Sequence, residues 1–291
     1  MSVDLEALPA ALKAAPPPLV QSGHLRVKRC RYGLMLFSAH DTYIGRSFDL
    51  YGEFAEEEVA IFRQLVRPGQ SVFDIGANIG AHTMALAAIV GPLGHVTAFE
   101  PQRVIFQILN ANAALNGLTA VTTRAVALGS AAGTIKVPPL NYAGEANFGG
   151  LSLEGATVGE EVPLLTFDSL RVAACDFVKI DVEGMEIEVL KGMGETIARF
   201  RPAMYVENDR PNKSASLVAH LLGLNYRLYF HVTPSFPAVN FFSNPVNVFG
   251  KTGTFNMICL PRERQQSASG LREITDPNEQ FLPRAAEKGS G

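Results

Sequence analysis

The nine residues Val72-Phe73-Asp74-Ile75-Gly76-Ala77-Asn78-Ile79-Gly80 constrain this chain more than any other stretch. The apolar run Ser71 to Ile75 reads as a buried strand. It opens through Gly76 to Gly80 into a helical pattern that reaches about Val90, where Gly91-Pro92 breaks it. Gly76 permits a turn with little side-chain obstruction, and Gly80 allows close approach near the helix start, so a ligand can lie against backbone amides there. The rhythm continues with a strand over His95 to Phe99, a helix over Arg103 to Leu115, a turn at Asn116-Gly117 and a third strand over Val121 to Leu128. Residues 129 to 165, rich in glycine, suggest a hairpin or an excursion over the sheet. Regularity returns with strands over Asp176 to Ile180 and Ala203 to Val206 and helices over Glu186 to Phe200 and Ser214 to Leu222. Short apolar strands alternating with helices predict an α/β fold with a mostly parallel sheet and helices on both faces. Tyr226 to Val232 and Met257 to Leu260 are expected to close it as a late, partly antiparallel pair.

The flanks read differently. Leu5, Leu8 and Leu12 suggest a weak amphipathic helix that Pro16 to Pro18 stop, and His24 to Phe37 is strand-like. A polar, glycine-containing region runs on through Gly52, followed by a helix from about Glu56 to Leu65. Residues 1–55 are therefore expected to form an N-terminal extension and cover, 56–261 the catalytic domain, and 262–291 a flexible polar tail. With 47% hydrophobic residues the 291-residue chain can bury one sizeable core. Lys plus Arg number 25 against 28 Asp plus Glu, a balance that supplies no field for a phosphate backbone, so nucleic acid is not an expected partner. Cys30, Cys175 and Cys259 form no CxxC pair and read as reduced buried thiols. No apolar run approaches the ~20 residues that span a bilayer. No secretory leader is evident, so a cytoplasmic protein away from membranes is the expectation; a homo-oligomer stays open.

Charged residues at the strand ends carry the chemistry. Asp74, just before the first glycine, suits an amino group or sulfonium better than a diphosphate. Glu100 ends the next strand, where its carboxylate is placed to accept both hydroxyls of a ribose. The loop is Gly-x-Asn-x-Gly, without the Gly-x-Gly-x-x-Gly spacing of a pyrophosphate turn, which disfavours a nicotinamide oxidoreductase. A non-catalytic cofactor-binding module is the other alternative. Asp181 and Glu183 follow one strand, and Glu207, Asn208 and Asp209 the next. Asp181, Glu207 and Asn208 make a candidate set for magnesium, offering two carboxylates and an amide. His231, near the end of a late strand, is the first choice for general base, with Asp181 the second catalytic candidate, while His82 on the first helix reads as packing.

Phe73-Asp74-Ile75-Gly76-Ala77-Asn78-Ile79-Gly80, Phe99-Glu100-Pro101, Asn116-Gly117 and Lys179-Ile180-Asp181-Val182-Glu183-Gly184, in this order and spacing, resemble the FkbM-type family of S-adenosylmethionine-dependent methyltransferases. The resemblance runs from roughly residue 50 to 210. It implies a class I, Rossmann-like methyltransferase sheet of seven strands with one antiparallel. It assigns Asp74, Gly76, Asn78 and Gly80 to the amino-acid moiety of S-adenosylmethionine, Glu100 to its ribose, and Pro101 and Gln102 to the border of the adenine pocket. It also implies methylation at oxygen of a small molecule or glycan-like acceptor. Asp41 to Arg46 look like the family's N-terminal cover, from which Tyr43 or Glu53 is expected to close over the cofactor or acceptor.

Overall fold

The computed structural model describes residues 15–264, 268 and 270–279. The helix expected around Leu5 to Leu12 and the end of the tail lie outside them. The chain enters through β1 (Val20–Ser22), β2 (Leu25–Cys30) and β3 (Gly33–Ser38), then α1 (Ile44–Tyr51) and α2 (Glu56–Leu65). The strand-like stretch is thus a hairpin, and the region before Gly52 holds a buried helix that its polar composition conceals. There follow β4 (Ser71–Ile75), α3 (Ala81–Val90), β5 (His95–Phe99), α4 (Arg103–Leu115), β6 (Val121–Arg124), β7 (Ala127–Leu128), β8 (Gly133–Val137) and β9 (Glu160–Leu165). The last third contributes β10 (Phe177–Ile180), α5 (Glu186–Lys191), α6 (Gly194–Phe200), β11 (Ala203–Glu207), α7 (Pro211–Gly223), β12 (Tyr226–Pro234), β13 (Gly253–Pro261) and β14 (Glu273–Ile274).

Among the described residues the main sheet has the order β14-β12-β13-β11-β10-β4-β5-β6. Strands β6, β5, β4, β10 and β11 pair in parallel, while β13 runs antiparallel to both β11 and β12. This is a seven-stranded sheet with one reversed strand, to which β14 adds a short eighth. Strand β14 lies inside the stretch read as a polar tail, where Ile274 is fully buried against the core. The helix expected over Glu186 to Phe200 is broken in two at Gly192. A Cβ there would stand 2.0 Å from the carbonyl oxygen of Gly129, so the backbone itself packs at that point. The expected third strand also divides, with β7 leaving the main sheet for a smaller one ordered β7-β9-β8.

Period-two alternation sorts the central strands into two cores. Val72, Phe177, Ala203 and Tyr205 pack with Phe62 of α2 on one face; Phe73, Val178, Met204 and Val206 pack with α5, α6 and α7 on the other. Each such buried apolar side chain contributes roughly 1.5–3 kcal/mol. The N-terminal sheet is held by polar clasps. Asn112 of α4 and Asn116, which caps its end, bond the free edge of β3, accepting from the amides of Leu36 and Leu34 at 2.6 and 2.8 Å and donating to their carbonyls. This fixes β1 to β3 and α1 over the ends of β4 and β5.

Candidate active site

A cavity of about 400 Å³ opens beyond the carboxyl ends of β4, β5, β10 and β11, within the range of small-molecule and cofactor sites. Its floor begins at the turn after β4. Gly76 has φ 79°, and a Cβ on it would lie 1.7 Å from the carbonyl oxygen of Asp181, so glycine is obligatory where β10 crosses the turn. Asn78 is also left-handed, at φ 50°.

Glu100 is buried and holds this loop. Its two oxygens accept the backbone amides of Asn78 at 2.9 Å and Gln102 at 2.8 Å. Burial pushes its pKa up to about 7, against the lowering effect of those amides. Each oxygen keeps a second lone pair for a ligand hydroxyl. Gln102 donates to the Phe148 carbonyl at 3.1 Å, while its Oε1 is buried without a hydrogen-bond partner. Gly76, Asn78, Glu100, Pro101, Gln102 and Asp181 all line the cavity.

Asp74 and Gly80, expected at the cofactor, do not line it. Asp74 is fully buried, accepts from the Thr83 hydroxyl at 2.6 Å and stands 3.3 Å from the ammonium of Lys179. Gly80 faces inward, where a Cβ would meet Leu109 at 2.7 Å. Lys179 also donates to the Gly76 carbonyl at 2.8 Å and lies 3.2 Å from Asp181. Burial would lower its pKa, but Asp181 and Asp74 outweigh that and drive it upward, keeping the ammonium charged. The backbone carbonyl of the Gly76 turn is thus tied to β10 by a buried cation.

Asp181, Glu183 and Glu207 bring oxygens within 4.8 Å of one another at the other wall. Glu183 pairs with Arg210, which lies 3.2 Å from Asp209. Burial, then Asp181 and Asp209, push the Glu183 pKa to about 8; burial, then Asp181 and Glu183, drive Glu207 upward as well. Asn208 is not part of this cluster. Its amide donates to the Met257 sulfur at 3.4 Å, because alternation along β11 turns it to the face opposite Glu207.

His231 is also displaced. Strand β13 lies between β11 and β12, so His231 pairs with Asn256, which in turn pairs with Glu207, two strand spacings away. Its Nδ1 lies 2.8 Å from the Tyr205 hydroxyl, and the ring does not line the cavity. The histidine that does is His82. From the N-terminal cover, Tyr43 lines the cavity, with its hydroxyl 2.6 Å from Ser235 Oγ. Glu53 does not: it is buried, bonding Arg31 and the amide of Phe241.

Strand order, the single reversed strand and the glycine turn beside an acidic strand end define a class I methyltransferase fold. The match to the methyltransferase FkbM domain extends over residues 74–229, and the chain belongs to that family. It is 32% identical over 155 residues to the hexuronic acid methyltransferase AglP of Haloferax volcanii, covering 52% of this chain and 60% of that protein. It is 30% identical over 165 residues to the methyltransferase sdnD of Sordaria araneosa, covering 43% and 60%. The chain thus spans about three fifths of the length of these relatives. Among solved structures, an FkbM methyltransferase from Methylobacillus flagellatus KT is similar at 18% identity and a TM-score of 0.46, over 87% of this chain and 59% of that one. An S-adenosylmethionine-dependent O-methyltransferase from Thermotoga maritima is similar at 14% identity and a TM-score of 0.42, over 83% and 79%. No helix among the described residues is long and apolar enough to cross a membrane.

Proposed function

We propose that this protein binds S-adenosylmethionine and transfers its methyl group to an oxygen of a small-molecule or glycan-like acceptor. The observation that carries this reading is the buried Glu100 carboxylate beside the Gly76 turn, facing Asp181 and its acidic neighbours across one cavity. Glu100 receives the ribose hydroxyls, Gly76 and Asn78 present the backbone to the amino-acid moiety, and the unpartnered Gln102 Oε1 with Pro101 borders the base. When bound, the cofactor supplies an electrophilic methyl on a sulfonium. Asp181 lies where a carboxylate favours that positive charge and can orient the acceptor hydroxyl. Family membership and the hexuronic acid methyltransferase among the relatives support a sugar-like acceptor.

Calorimetry with S-adenosylhomocysteine, S-adenosylmethionine and NAD, joined to mass spectrometry of a metabolite extract supplied with methyl-labelled S-adenosylmethionine, tests the reading. Binding of both sulfur compounds and one labelled ether or ester product is expected. Binding of NAD alone would overturn it.

A hard divalent cation is a second element of the proposal. Its ligands would be Asp181, Glu183 and Glu207, with Asn208 excluded by its contact with Met257. An all-carboxylate donor set suits magnesium, and Glu207 Oε2 is buried with no hydrogen-bond partner. The ion would position an acceptor oxygen and lower its pKa.

A further inference from the structure

His82 occupies the first turn of α3, immediately beyond the glycine loop, and is the one histidine among the described residues that lines the cavity. Its ring is wedged between Phe54 and Phe62, at centroid distances of 5.8 and 5.2 Å, which fixes its plane. The ring Nε2 is buried, lacks a hydrogen-bond partner and lies 3.4 Å from Oε2 of Glu58 on α2. Glu58 is itself buried, and β13 holds it. Its Oε1 accepts from the Thr254 hydroxyl at 2.5 Å and from the Asn256 amide at 3.1 Å. One carboxylate oxygen is thereby occupied, and the other is left facing the imidazole.

The two hydrogen bonds from β13 satisfy only one oxygen of this carboxylate. The other, on a helix whose neighbouring buried positions Val59 and Phe62 are apolar, has the imidazole beside it. The pair joins three elements, α2, α3 and β13, at one wall of the cavity. A neutral imidazole protonated on Nε2, the nitrogen 3.4 Å from that carboxylate, has Nδ1 as its proton acceptor.

We propose that His82 is the general base for the acceptor hydroxyl, and that Glu58 is the positioning residue that sets its tautomer. The inference rests on the reading of methyl transfer to oxygen. In the step, His82 takes the hydroxyl proton as the acceptor oxygen bonds the methyl carbon. The electrons of the methyl–sulfur bond stay on sulfur, leaving a neutral thioether, a methylated oxygen and a protonated imidazole. The charged groups facing His82 are Glu58 from α2, and Lys179 and Asp181 from β10 and its end. Burial, then Lys179, hold its pKa down at about 3 and so keep it neutral, while burial lifts Glu58 to about 7. Once Glu58 ionises, its charge stabilises the imidazolium that forms, so proton abstraction strengthens as pH rises through that range.

The test uses the full chain with S-adenosylhomocysteine as probe, read first by long-range proton–nitrogen NMR of the imidazoles. Wild type should show His82 neutral with its proton on Nε2 at pH 8, and E58L should lose that preference. Calorimetry should then find S-adenosylhomocysteine affinity within about twofold of wild type in H82Q and E58Q. Labelled product formed from a metabolite extract should fall by about 10²–10⁴-fold in H82Q. In E58Q the acidic limb of the pH–rate profile should disappear, and E58D should restore part of it.

Undiminished product from H82Q, or a His82 proton resident on Nδ1 in wild type, overturns the base. A loss of rate matched by an equal loss of S-adenosylhomocysteine affinity makes His82 a binding residue and equally overturns it. Wild type that labels nothing removes the methyl-transfer reading, and the base with it; H82F distinguishes packing, since it keeps the ring between Phe54 and Phe62 and should remain inactive.

Discussion

Glu100 offers a sharp test of how the cavity recognises its ligand, because folding and binding ask opposite things of one carboxyl group. Burial raises its pKa from 4.5 to about 7. For folding, a raised pKa means stability that is full below 4.5 and is lost as pH rises through about 7, a difference that corresponds to about 3 kcal/mol. For binding the sign reverses. On the proposed reading two ribose hydroxyls need the ionised acceptor, so apparent affinity follows the ionised fraction, and S-adenosylhomocysteine should bind about tenfold more tightly at pH 8 than at pH 6. The melting-temperature rise produced by the ligand should widen over the same interval. In E100Q only one oxygen remains for the amides of Asn78 and Gln102, and the charge is gone. A charged hydrogen bond contributes about 1.5–3 kcal/mol, so affinity at pH 8 should fall by roughly 10- to 150-fold. Calorimetry across pH 6 to 8 in both proteins isolates this group from Glu58 and Glu183, whose pKa values are pushed to about 7 and about 8. A wild-type dissociation constant that is flat over this range, or an E100Q protein with the wild-type slope, would refute the argument.

Two further outcomes follow from the same wall of the cavity. G76A should lose more than about 3 kcal/mol in urea denaturation, because its Cβ would collide with the Asp181 carbonyl at 1.7 Å and occupy a left-handed φ; wild-type stability would contradict the close crossing of β10. If a divalent cation serves the reaction, chelator should abolish methyl transfer, magnesium should restore it, and D181N should not respond; full turnover in chelator would eliminate the cation.

The sequence made the central sheet legible because β4, β5, β10 and β11 are buried almost throughout and end at a polar or glycine signal. Gly76, Glu100 and Asp181 were equally legible, since a strand's end is where its side chains reach the rim. Facing was not. Asp74 lies within β4, one residue before its end, and is directed to Lys179 rather than to the cavity. Asn208 follows Glu207, and one step along the chain turns it to the other side of the sheet. His231 failed for a topological reason: the late hairpin places β13, not β12, against β11, and local pattern contains no trace of that insertion. His82 reads as one buried helical residue among others until α2 and β13 are brought beside it. Asn112 and Asn116 are similar, since only the tertiary fold shows that they bond the edge of β3.

The charge of the mouth bears on which acceptors fit. Asp181, Glu183, Glu207 and Asp209 converge there, and the cations beside them are committed: Lys179 to Asp74 and Asp181, Arg210 to Glu183 and Asp209. A free carboxylate brought into this wall would meet like charge with no unpaired lysine or arginine among the residues lining the cavity. The raised pKa values of Glu183 and Glu207 relieve the repulsion within the cluster by retaining protons, but an incoming anion would raise them further and pay for it in affinity. An acceptor with neutral hydroxyls can instead donate to these same oxygens, and Glu207 Oε2 is buried without a partner. A uronate acceptor is therefore expected to bind with its carboxylate turned to solvent or bridged by a cation. On that account an uncharged glycoside should compete more effectively than the corresponding uronate in chelator, with the order reversing when magnesium is added; a uronate preferred in chelator would show that the wall is not the acceptor surface.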